Sequence, residues 1–539
     1  MDDKGSYQYD EELFILINND NYEYVIPQLC EDIFKKDIFN IEDVNKYTSE
    51  LVQLLNKLPR PYTIIQEAYH IDPSYRDRYY TYFSNQHFKI KRNSRRLSFF
   101  ALEITELDFF SNDKTNLRKI ADSFMGSCVI NPLSIGYIGR TLIHPKYLLT
   151  ASQLPSYVRL SKFTLHVLGK EFSIEAFPYR MQDQETMRCA EVTLLNLLEY
   201  YANSYKDYRN IVPSEILKSE QKNSFQRVLP SQGTSYPILT KALSEFGFSP
   251  RLYSLSCIET YSLSQVTQED ELKRLLHYYI ESGIPVALNL SPIDNNNASH
   301  SVVCIGHGKP KKQLVEKAKR NKWISWEHRE NCHPIINSAD FYDEYVIVDD
   351  NVPVYQVMPF DNLSLLSYMR VENIAVPLYK RMFLDASDAT AVVRSVLHHE
   401  QYGIDIWSDG YLEPNEDVII RLFMASSRRL KKFRSETIEN FYSRQTYSII
   451  PMPRFVWVCE LYRLGDYNNL KAFGEIIIDA TSTLGQGNSA RSLLLLHYPN
   501  VIGIRFPDQK EPEFNQMIEI DDDELFDGYR ENLTQIVVE

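Results

Sequence analysis

The sequence contains no apolar stretch that approaches the roughly 20 residues a helix needs to cross a bilayer, so no membrane span is expected. Its first residues, Met-Asp-Asp-Lys, do not resemble the apolar core of a signal peptide. The seven cysteines are odd in number and far apart, which does not predict a disulfide framework. We therefore expect a reduced, cytoplasmic protein that does not associate with a membrane.

An excess of positive charge is also missing. The 58 Lys and Arg residues against 72 Asp and Glu residues give a net charge of -14, which disfavours a nucleic-acid partner. One local exception is a basic run, most simply a solvated helix face, formed by Lys309, Lys311, Lys312, Lys317, Lys319, Arg320 and Lys322. Cys332 and His333 have no second ligand pair nearby, so no metal site is expected there.

The chain is long enough for several cores. A length of 539 residues predicts about three or four domains, and 44% hydrophobic residues suffice to fill them. Residues 1–88 read as a helical N-terminal region and 89–177 as a strand-rich region. Residues 178–380 read as helices followed by strands, which favours an α+β fold. Residues 381–539 form a C-terminal mixed α/β region.

Three residues in the third region have a pattern typical of a thiol enzyme. Cys189 precedes apolar residues at helical spacing, so we expect it at the start of a helix. A helix N-terminus and a neighbouring imidazolium both favour the thiolate, which is the reactive form of cysteine. His300 opens a candidate strand, and Asp349 ends the following one. A carboxylate in that position can orient the imidazole.

Each of these residues also has a plainer interpretation when it is taken alone. A cysteine at a helix start is most often a buried structural thiol, and paired aspartates after a strand usually form a turn. The order of the cysteine, the histidine and the aspartate along the chain favours the catalytic interpretation. That interpretation depends on the three side chains meeting in the folded protein.

In this order the middle region resembles the papain-like cysteine peptidases, most closely their bacterial C39-like branch. The resemblance covers roughly 200 residues and rests on Gln182, Cys189, His300 and Asp349. It implies helices packed on an antiparallel sheet, flanked here by helical and strand-rich regions. It also implies a protein or peptide substrate and hydrolysis of an amide bond through a thioester, with no cofactor.

The resemblance assigns a role to each residue. Cys189 is the nucleophile, His300 the general base and acid, Asp349 the orienting carboxylate, and Gln182 the oxyanion donor. The chain departs from the branch in three places. Ala190 replaces the usual glycine, and the Asp-Pro after the strand is replaced by Asp-Asp-Asn. Asp183 occupies the usual glutamine position, so Gln184 remains an alternative to Gln182, and Asp350 to Asp349.

Other functions remain open at this point. An acyltransferase or a deamidase would use the same triad, and an inactive papain-like domain would serve as a binding module. A long insertion, from His307 to Glu344, joins the histidine strand to the aspartate strand. Because it is basic, we expect it to shape the rim of the cleft and to favour an acidic partner. The sequence does not predict an oligomeric state.

Overall fold

A computed structural model describes most of the chain, and its architecture is α+β. The described residues are 13–37, 48–224, 227–231, 233–258, 266–293, 298–319, 333–364, 368–397, 399, 401–404, 411–413, 416–483, 492–506, 516–520 and 525–537. Within these residues, no helix combines the length and the apolar character that a membrane span requires.

The N-terminal part is built on an antiparallel sheet whose strands follow one another in sequence order, β1 to β5. These strands are β1 (Phe14–Ile17), β2 (Tyr62–His70), β3 (Ser94–Phe100), β4 (Phe124–Ile130) and β5 (Ile138–Ile143). The helices are α1 (Tyr22–Asp37), α2 (Ser49–Lys57), α3 (Pro73–Thr81), α4 (Glu106–Phe110) and α5 (Lys114–Asp122). Because β2 pairs with β3, the regions expected at 1–88 and 89–177 share one sheet, and the first is not purely helical.

Three further strands lead into the central part: β6 (Ser156–Val158), β7 (Ser161–Val167) and β8 (Lys170–Ala176). Strands β7 and β8 form a hairpin in which buried and exposed residues alternate along each strand. This alternation is the pattern of strands with one face on a core and one in solvent. The aromatic side chains of the buried face, such as Phe163 and Phe172, join the apolar cluster of Phe100 and Phe124.

The central part carries four helices and then an antiparallel sheet, in the order that the sequence predicts. The helices are α6 (Cys189–Ser204), α7 (Pro213–Asn223), α8 (Tyr236–Glu245) and α9 (Gln268–Glu281). The strands are β9 (Arg251–Ser254), β10 (Val286–Pro292), β11 (His300–His307), β13 (Glu344–Asp349), β14 (Val352–Pro359) and β15 (Met369–Val376), with β12 (Ile335–Asn337) outside this sheet. Their order across the sheet is β14-β13-β11-β10-β15-β9.

The two ends of the insertion between β11 and β13 do not lie beside the candidate site. Because the two strands are antiparallel, the connection leaves at His307 and returns at Glu344, at the ends opposite His300 and Asp349. A strand of eight residues spans about 26 Å at 3.3 Å per residue, and this length separates the two places. The ends of the insertion therefore do not make the expected contribution to the cleft rim. Trp323, Trp326, Arg320, Lys322 and Cys332 lie outside the described residues.

The described part of the insertion also carries less unpaired positive charge than its composition predicts. It contains helix α10 (Lys312–Ala318) and the strand β12. Lys311 forms ion pairs with Glu344 at 3.0 Å and with Asp343 at 3.5 Å, and Lys319 pairs with Glu316 at 2.8 Å. Part of the basic run is therefore neutralised within the protein.

The C-terminal part forms a third sheet, in the order β12-β16-β17-β19-β20-β21-β22. Its helices are α11 (Ala386–Leu397), α12 (Ser427–Thr437), α13 (Phe441–Ile449) and α14 (Leu464–Tyr467). The strands are β16 (Val418–Ser426), β17 (Phe455–Arg463), β18 (Lys471–Ala472), β19 (Gly474–Asp479), β20 (Leu493–Tyr498), β21 (Val501–Ile504), β22 (Gln516–Glu519), β23 (Phe526–Asp527) and β24 (Thr534–Ile536).

The C-terminal part is tied to the central part by backbone pairing and by buried charge. Strand β24 pairs with β6, and β6 pairs with β11, so the central sheet ends in a strand from the C-terminal part. Arg421 on β16 binds Glu281 of α9 at 2.5 Å and Glu460 of β17 at 2.9 Å. Loss of one member of such a buried set leaves an uncompensated charge, so these contacts fix how the two parts sit together.

Candidate active site

Cys189 is the first residue of α6, as the apolar spacing predicts. The helix packs on β11 and is buried around most of its circumference, with 11 of its 16 residues inaccessible. A helix that is apolar on nearly all sides belongs in the middle of a domain. Cys189 itself is only half-buried, in contrast to Cys30, Cys128, Cys304 and Cys459, which are buried. The thiol therefore stands at the positive end of a central helix and remains accessible.

His300 begins β11 and contacts both other members of the predicted triad. Its Nε2 atom lies 2.8 Å from Oδ1 of Asp349, the last residue of the neighbouring strand β13. Cys189 lies close enough to the His300 ring to help raise the pKa of His300. Because Nε2 faces the carboxylate, Nδ1 is the ring nitrogen left for the sulfur. The structure thus brings Cys189, His300 and Asp349 together in series.

The surroundings of His300 keep its ring protonated. Burial alone would lower the pKa of His300, but the hydrogen bond with Asp349, the proximity of Cys189 and the charge of Asp349 raise it. The net result is a pKa well above the usual value. A charged imidazolium beside the sulfur stabilises the thiolate. This is the electrostatic arrangement that a cysteine nucleophile needs.

Asp350 is close to the same histidine but differs from Asp349 in its charge state. Its Oδ1 atom lies 3.6 Å from His300 Nε2, beyond hydrogen-bond distance. Burial is the main cause that raises the pKa of Asp350 to about 8; the His300 cation opposes the rise and the Asp349 charge adds to it. Asp350 is therefore mostly neutral at neutral pH. Of the two alternatives, the geometry favours Asp349 as the partner of His300.

Gln182 lies in the site and reaches the triad through Asn351. Its Nε2 atom donates a 2.9 Å hydrogen bond to Oδ1 of Asn351. The side-chain nitrogen Nδ2 of Asn351 lies 3.2 Å from His300 Nε2. The backbone N–H of Asn351 donates to Asp349 Oδ1 at 2.9 Å. A primary amide has two hydrogens, so Gln182 keeps one donor for a substrate oxygen. The sequence did not identify Asn351, whose only signal is its position two residues after Asp349.

Asp183 and Gln184, the two residues that follow Gln182, do not enter the site. Gln184 is exposed and has a left-handed backbone, with φ of 63°. Asp183 is buried, and its Oδ1 accepts the backbone N–H groups of Glu185, Thr186 and Met187. A carboxylate has no hydrogen to donate to an oxyanion. Asp183 instead holds the loop that leads into Cys189.

A residue far away in the sequence also holds this loop in place. Arg78 of α3 donates from Nη1 to Asp183 Oδ2 at 2.7 Å, and both side chains are buried. The two positions are 105 residues apart in the chain, so no local pattern could have predicted their contact. The N-terminal part therefore supports the segment that carries the nucleophile.

A second carboxylate, Glu191, lies in the first turn of α6. Its Oε2 accepts the backbone N–H of Arg188 at 3.2 Å, and its Oε1 accepts the hydroxyl of Ser231 at 2.6 Å. Burial raises the pKa of Glu191, and it raises that of the neighbouring Glu220 to about 8. Acidic residues at a helix N-terminus are stabilised by the helix dipole, so Glu191 serves to cap α6.

Three side chains of the candidate site also have the chemistry to bind a cation. Among the described residues, His300, Asp349 and Asp350 offer ligand atoms that all lie within 4.8 Å of one another. A metal ion bound there would take Nε2 of His300 away from Asp349. These residues can therefore either bind a metal ion or form the thiol–imidazole–carboxylate series, but not both at once.

The geometry can activate a thiol, because a half-buried sulfur, a charged imidazole and a carboxylate are aligned on a helix start, a strand start and a strand end. Comparison with protein-family models and with curated proteins returns no match for this chain.

Proposed function

We propose that this chain is a papain-like cysteine peptidase, related to the C39-like branch, that hydrolyses an amide bond in a protein or peptide. The observation that carries the proposal is the placement of His300, which lies beside Cys189 and 2.8 Å from Oδ1 of Asp349. The α+β arrangement, with the cysteine helix packed on an antiparallel sheet, supports the same assignment. The six described cysteines are all free, which supports action in a reducing compartment such as the cytoplasm.

In the proposed first half-reaction, the Cys189 thiolate attacks the carbonyl carbon of the substrate amide. The carbonyl oxygen becomes an oxyanion, which the free amide hydrogen of Gln182 and the backbone N–H of Cys189 stabilise. The carbon–nitrogen bond then breaks, and His300 donates its proton to the departing amine. The product of this step is a thioester between the Cys189 sulfur and the acyl group.

In the second half-reaction, water attacks the thioester carbonyl. His300, now neutral, accepts a proton from the water and becomes imidazolium again. The carbon–sulfur bond breaks, the substrate leaves as a carboxylic acid, and Cys189 returns as the thiolate. Asp349 remains charged throughout and holds the imidazole in the orientation that both steps require.

Labelling with a peptidyl vinyl sulfone, followed by peptide mass spectrometry, tests the nucleophile. We expect adduct formation on Cys189 and not on Cys257, which is exposed but lies outside the site. Cys189→Ala should abolish labelling and turnover, whereas Cys257→Ala should leave both unchanged. Labelling that depends on Cys257, or that fails in the native protein, would contradict the proposal.

The identity of the acceptor needs a separate measurement. Turnover of a peptide library in ¹⁸O-labelled water should incorporate one label into the new carboxyl group after cleavage. Label at a glutamine side chain would indicate deamidation, and a product joined to an added amine would indicate acyl transfer. A chelator should not reduce activity. If it does, a metal held by His300, Asp349 and Asp350 replaces the thiol mechanism.

A further inference from the structure

A second cavity lies at the far end of the helix that carries the nucleophile. It has a volume of about 190 Å³ and is not lined by Cys189, His300 or Asp349. Its walls come from the C-terminal end of α6, from the ends of β16 and β17, and from α12. The two ends of α6 are about 24 Å apart, at 1.5 Å per residue over 16 residues. The cavity is therefore separate from the proposed active site.

Of the described residues, three arginines line this cavity and no acidic residue does; the arginines are Arg159, Arg429 and Arg454. Arg159 donates to the hydroxyl oxygens of Tyr200 at 2.6 Å and Tyr205 at 3.3 Å, and to the carbonyl of Asn532 at 2.8 Å. Among the described residues, no carboxylate lies within ion-pair distance of Arg159 or of Arg429. Arg454 pairs with Asp207 at 3.1 Å. Positive charge gathered without matching carboxylates favours an anion in the space between them.

Aromatic rings form the remaining distinctive part of the lining. Tyr201, Tyr205 and Tyr208 come from the end of α6 and from the segment after it, and Phe455 begins β17. The rings of Tyr201 and Tyr205 are stacked, with centroids 5.8 Å apart. Tyr201 is buried, Tyr205 and Tyr208 are half-buried, and Tyr208 stacks one face on Phe248. Tyrosine rings bind flat ring systems by stacking and edge contacts, and nearby arginines strengthen such contacts. The volume leaves room for one ring and its substituents rather than for a peptide.

We infer that this arginine–tyrosine cavity binds a small molecule that carries one flat ring and one anionic group, either a phosphate or a carboxylate. The ring lies against Tyr205 and Tyr208, and the anion is held by Arg159 and Arg429. Guanidinium groups suit both phosphate and carboxylate because their paired N–H groups match two oxygens. The inference does not depend on amide hydrolysis at Cys189.

Isothermal titration calorimetry on the full chain tests the cavity with simple probes. Phenyl phosphate and benzoate carry a ring and an anion, inorganic phosphate carries only the anion, and benzyl alcohol carries only the ring. We expect at least one of the first two to bind tenfold or more tightly than both fragments. Comparison of phenyl phosphate with benzoate identifies the preferred anion. Equal affinity for ring-bearing and ring-free anions, or no binding at 10 mM, would overturn the inference.

Two neighbouring arginines provide matched variants. Arg429 lines the cavity and Arg428 does not, although both are exposed on α12. Arg429→Gln should weaken binding of the preferred probe at least tenfold, while Arg428→Gln should change it less than twofold. Both variants should unfold at the temperature of the native protein, since neither side chain is buried. Equal effects of the two substitutions would show that the probe responds to general surface charge, and the cavity assignment would then fail.

Discussion

The side-chain amide of Gln182 donates a 2.9 Å hydrogen bond to Asn351, across 169 positions of the chain. This contact joins the segment before the nucleophile to the segment after Asp349. One amide hydrogen of Gln182 is used in this bond, and the other is free to bind a substrate oxygen. The contact also distinguishes Gln182 from Gln184, which is exposed.

Gln182→Ala should lower kcat by about 10²- to 10³-fold, the usual effect of removing one oxyanion donor. Cys189 alkylation by iodoacetamide should persist in this variant, because alkylation forms no oxyanion. Gln184→Ala is the matched control and should keep native turnover. Equal losses in the two variants would remove Gln182 from the oxyanion site.

Asp349→Asn should reduce turnover much more than Asp350→Asn. Asp349 carries the carboxylate that bonds to His300, so an amide in its place disturbs both the orientation and the charge of the imidazole. Asp350 is already mostly neutral at pH 7, because burial raises its pKa to about 8. We expect a loss of about 10²-fold or more at Asp349 and less than threefold at Asp350. Steady-state kinetics at pH 7 measures both, and the reverse ranking would reassign the orienting carboxylate.

The pH dependence of stability should reveal the buried proton of Asp350. Between its ordinary pKa of 3.8 and its raised value of about 8, the unfolded chain releases the proton while the folded protein keeps it. The unfolded state then binds fewer protons, so the free energy of unfolding decreases as pH rises, by up to about 1.4 kcal/mol per pH unit from this group.

Asp350→Asn should remove that contribution, so its stability should decline less steeply than that of the native protein between pH 5 and 8. Urea denaturation at several pH values provides the slopes. Asp361→Asn, which replaces an exposed carboxyl group, should retain the native slope. If Asp350→Asn also shows the native slope, Asp350 is ionised in the folded protein.

Cys189 should alkylate faster than Cys257 near neutral pH, although Cys257 is more exposed. His300 lies beside Cys189, and a charged imidazole next to a cysteine generally increases its reactivity. Quantitative mass spectrometry after short exposure to iodoacetamide gives the two rates. His300→Ala should slow the reaction at Cys189 and leave Cys257 unchanged. Equal labelling of the two cysteines from pH 6 to 9 would contradict an activated nucleophile.

Asp183→Ala should destabilise the protein by about 3–5 kcal/mol, because it leaves Arg78 buried without its carboxylate. It also removes the acceptor for three backbone N–H groups of the loop before Cys189. Thermal unfolding and Cys189 alkylation should therefore both change. Gln184→Ala, next in the chain and exposed, should stay within about 0.5 kcal/mol of the native protein. A small effect at Asp183 would mean that the loop is held by other contacts.

The helix and strands that carry the candidate site were predicted correctly where the local signal is strong. The apolar spacing after Cys189 marks α6, and the apolar runs after His300 and before Asp349 mark β11 and β13. Chain order then suggested that the three residues meet. The sequence left Gln184 open as an alternative to Gln182, and Asp350 as an alternative to Asp349, because a pattern alone cannot distinguish nearby residues of the same type. In the structure Gln184 differs from Gln182 by being exposed, and Asp350 differs from Asp349 in its charge state.

The remaining errors have different causes. The N-terminal sheet was missed because β1 is short and because β2 pairs with strands that follow several helices. Asp183 and Arg78 meet only through tertiary packing. The position of the insertion, in contrast, was available from the sequence. Two adjacent antiparallel strands that place His300 and Asp349 together must place their connection at the opposite end.

The pairing of β24 with β6 has a consequence for the time at which the protein matures. Residues 534–536 leave the ribosome long after His300, yet they complete the row of strands that contains β11. Synthesis proceeds at roughly 5–20 residues per second, so a nascent chain holds the His300 strand in an unfinished sheet for many seconds. Because β6 pairs with β11 only at Gly306 and His307, translation leaves that end of β11, opposite His300, without its full row of strands until residues 534–536 have been made.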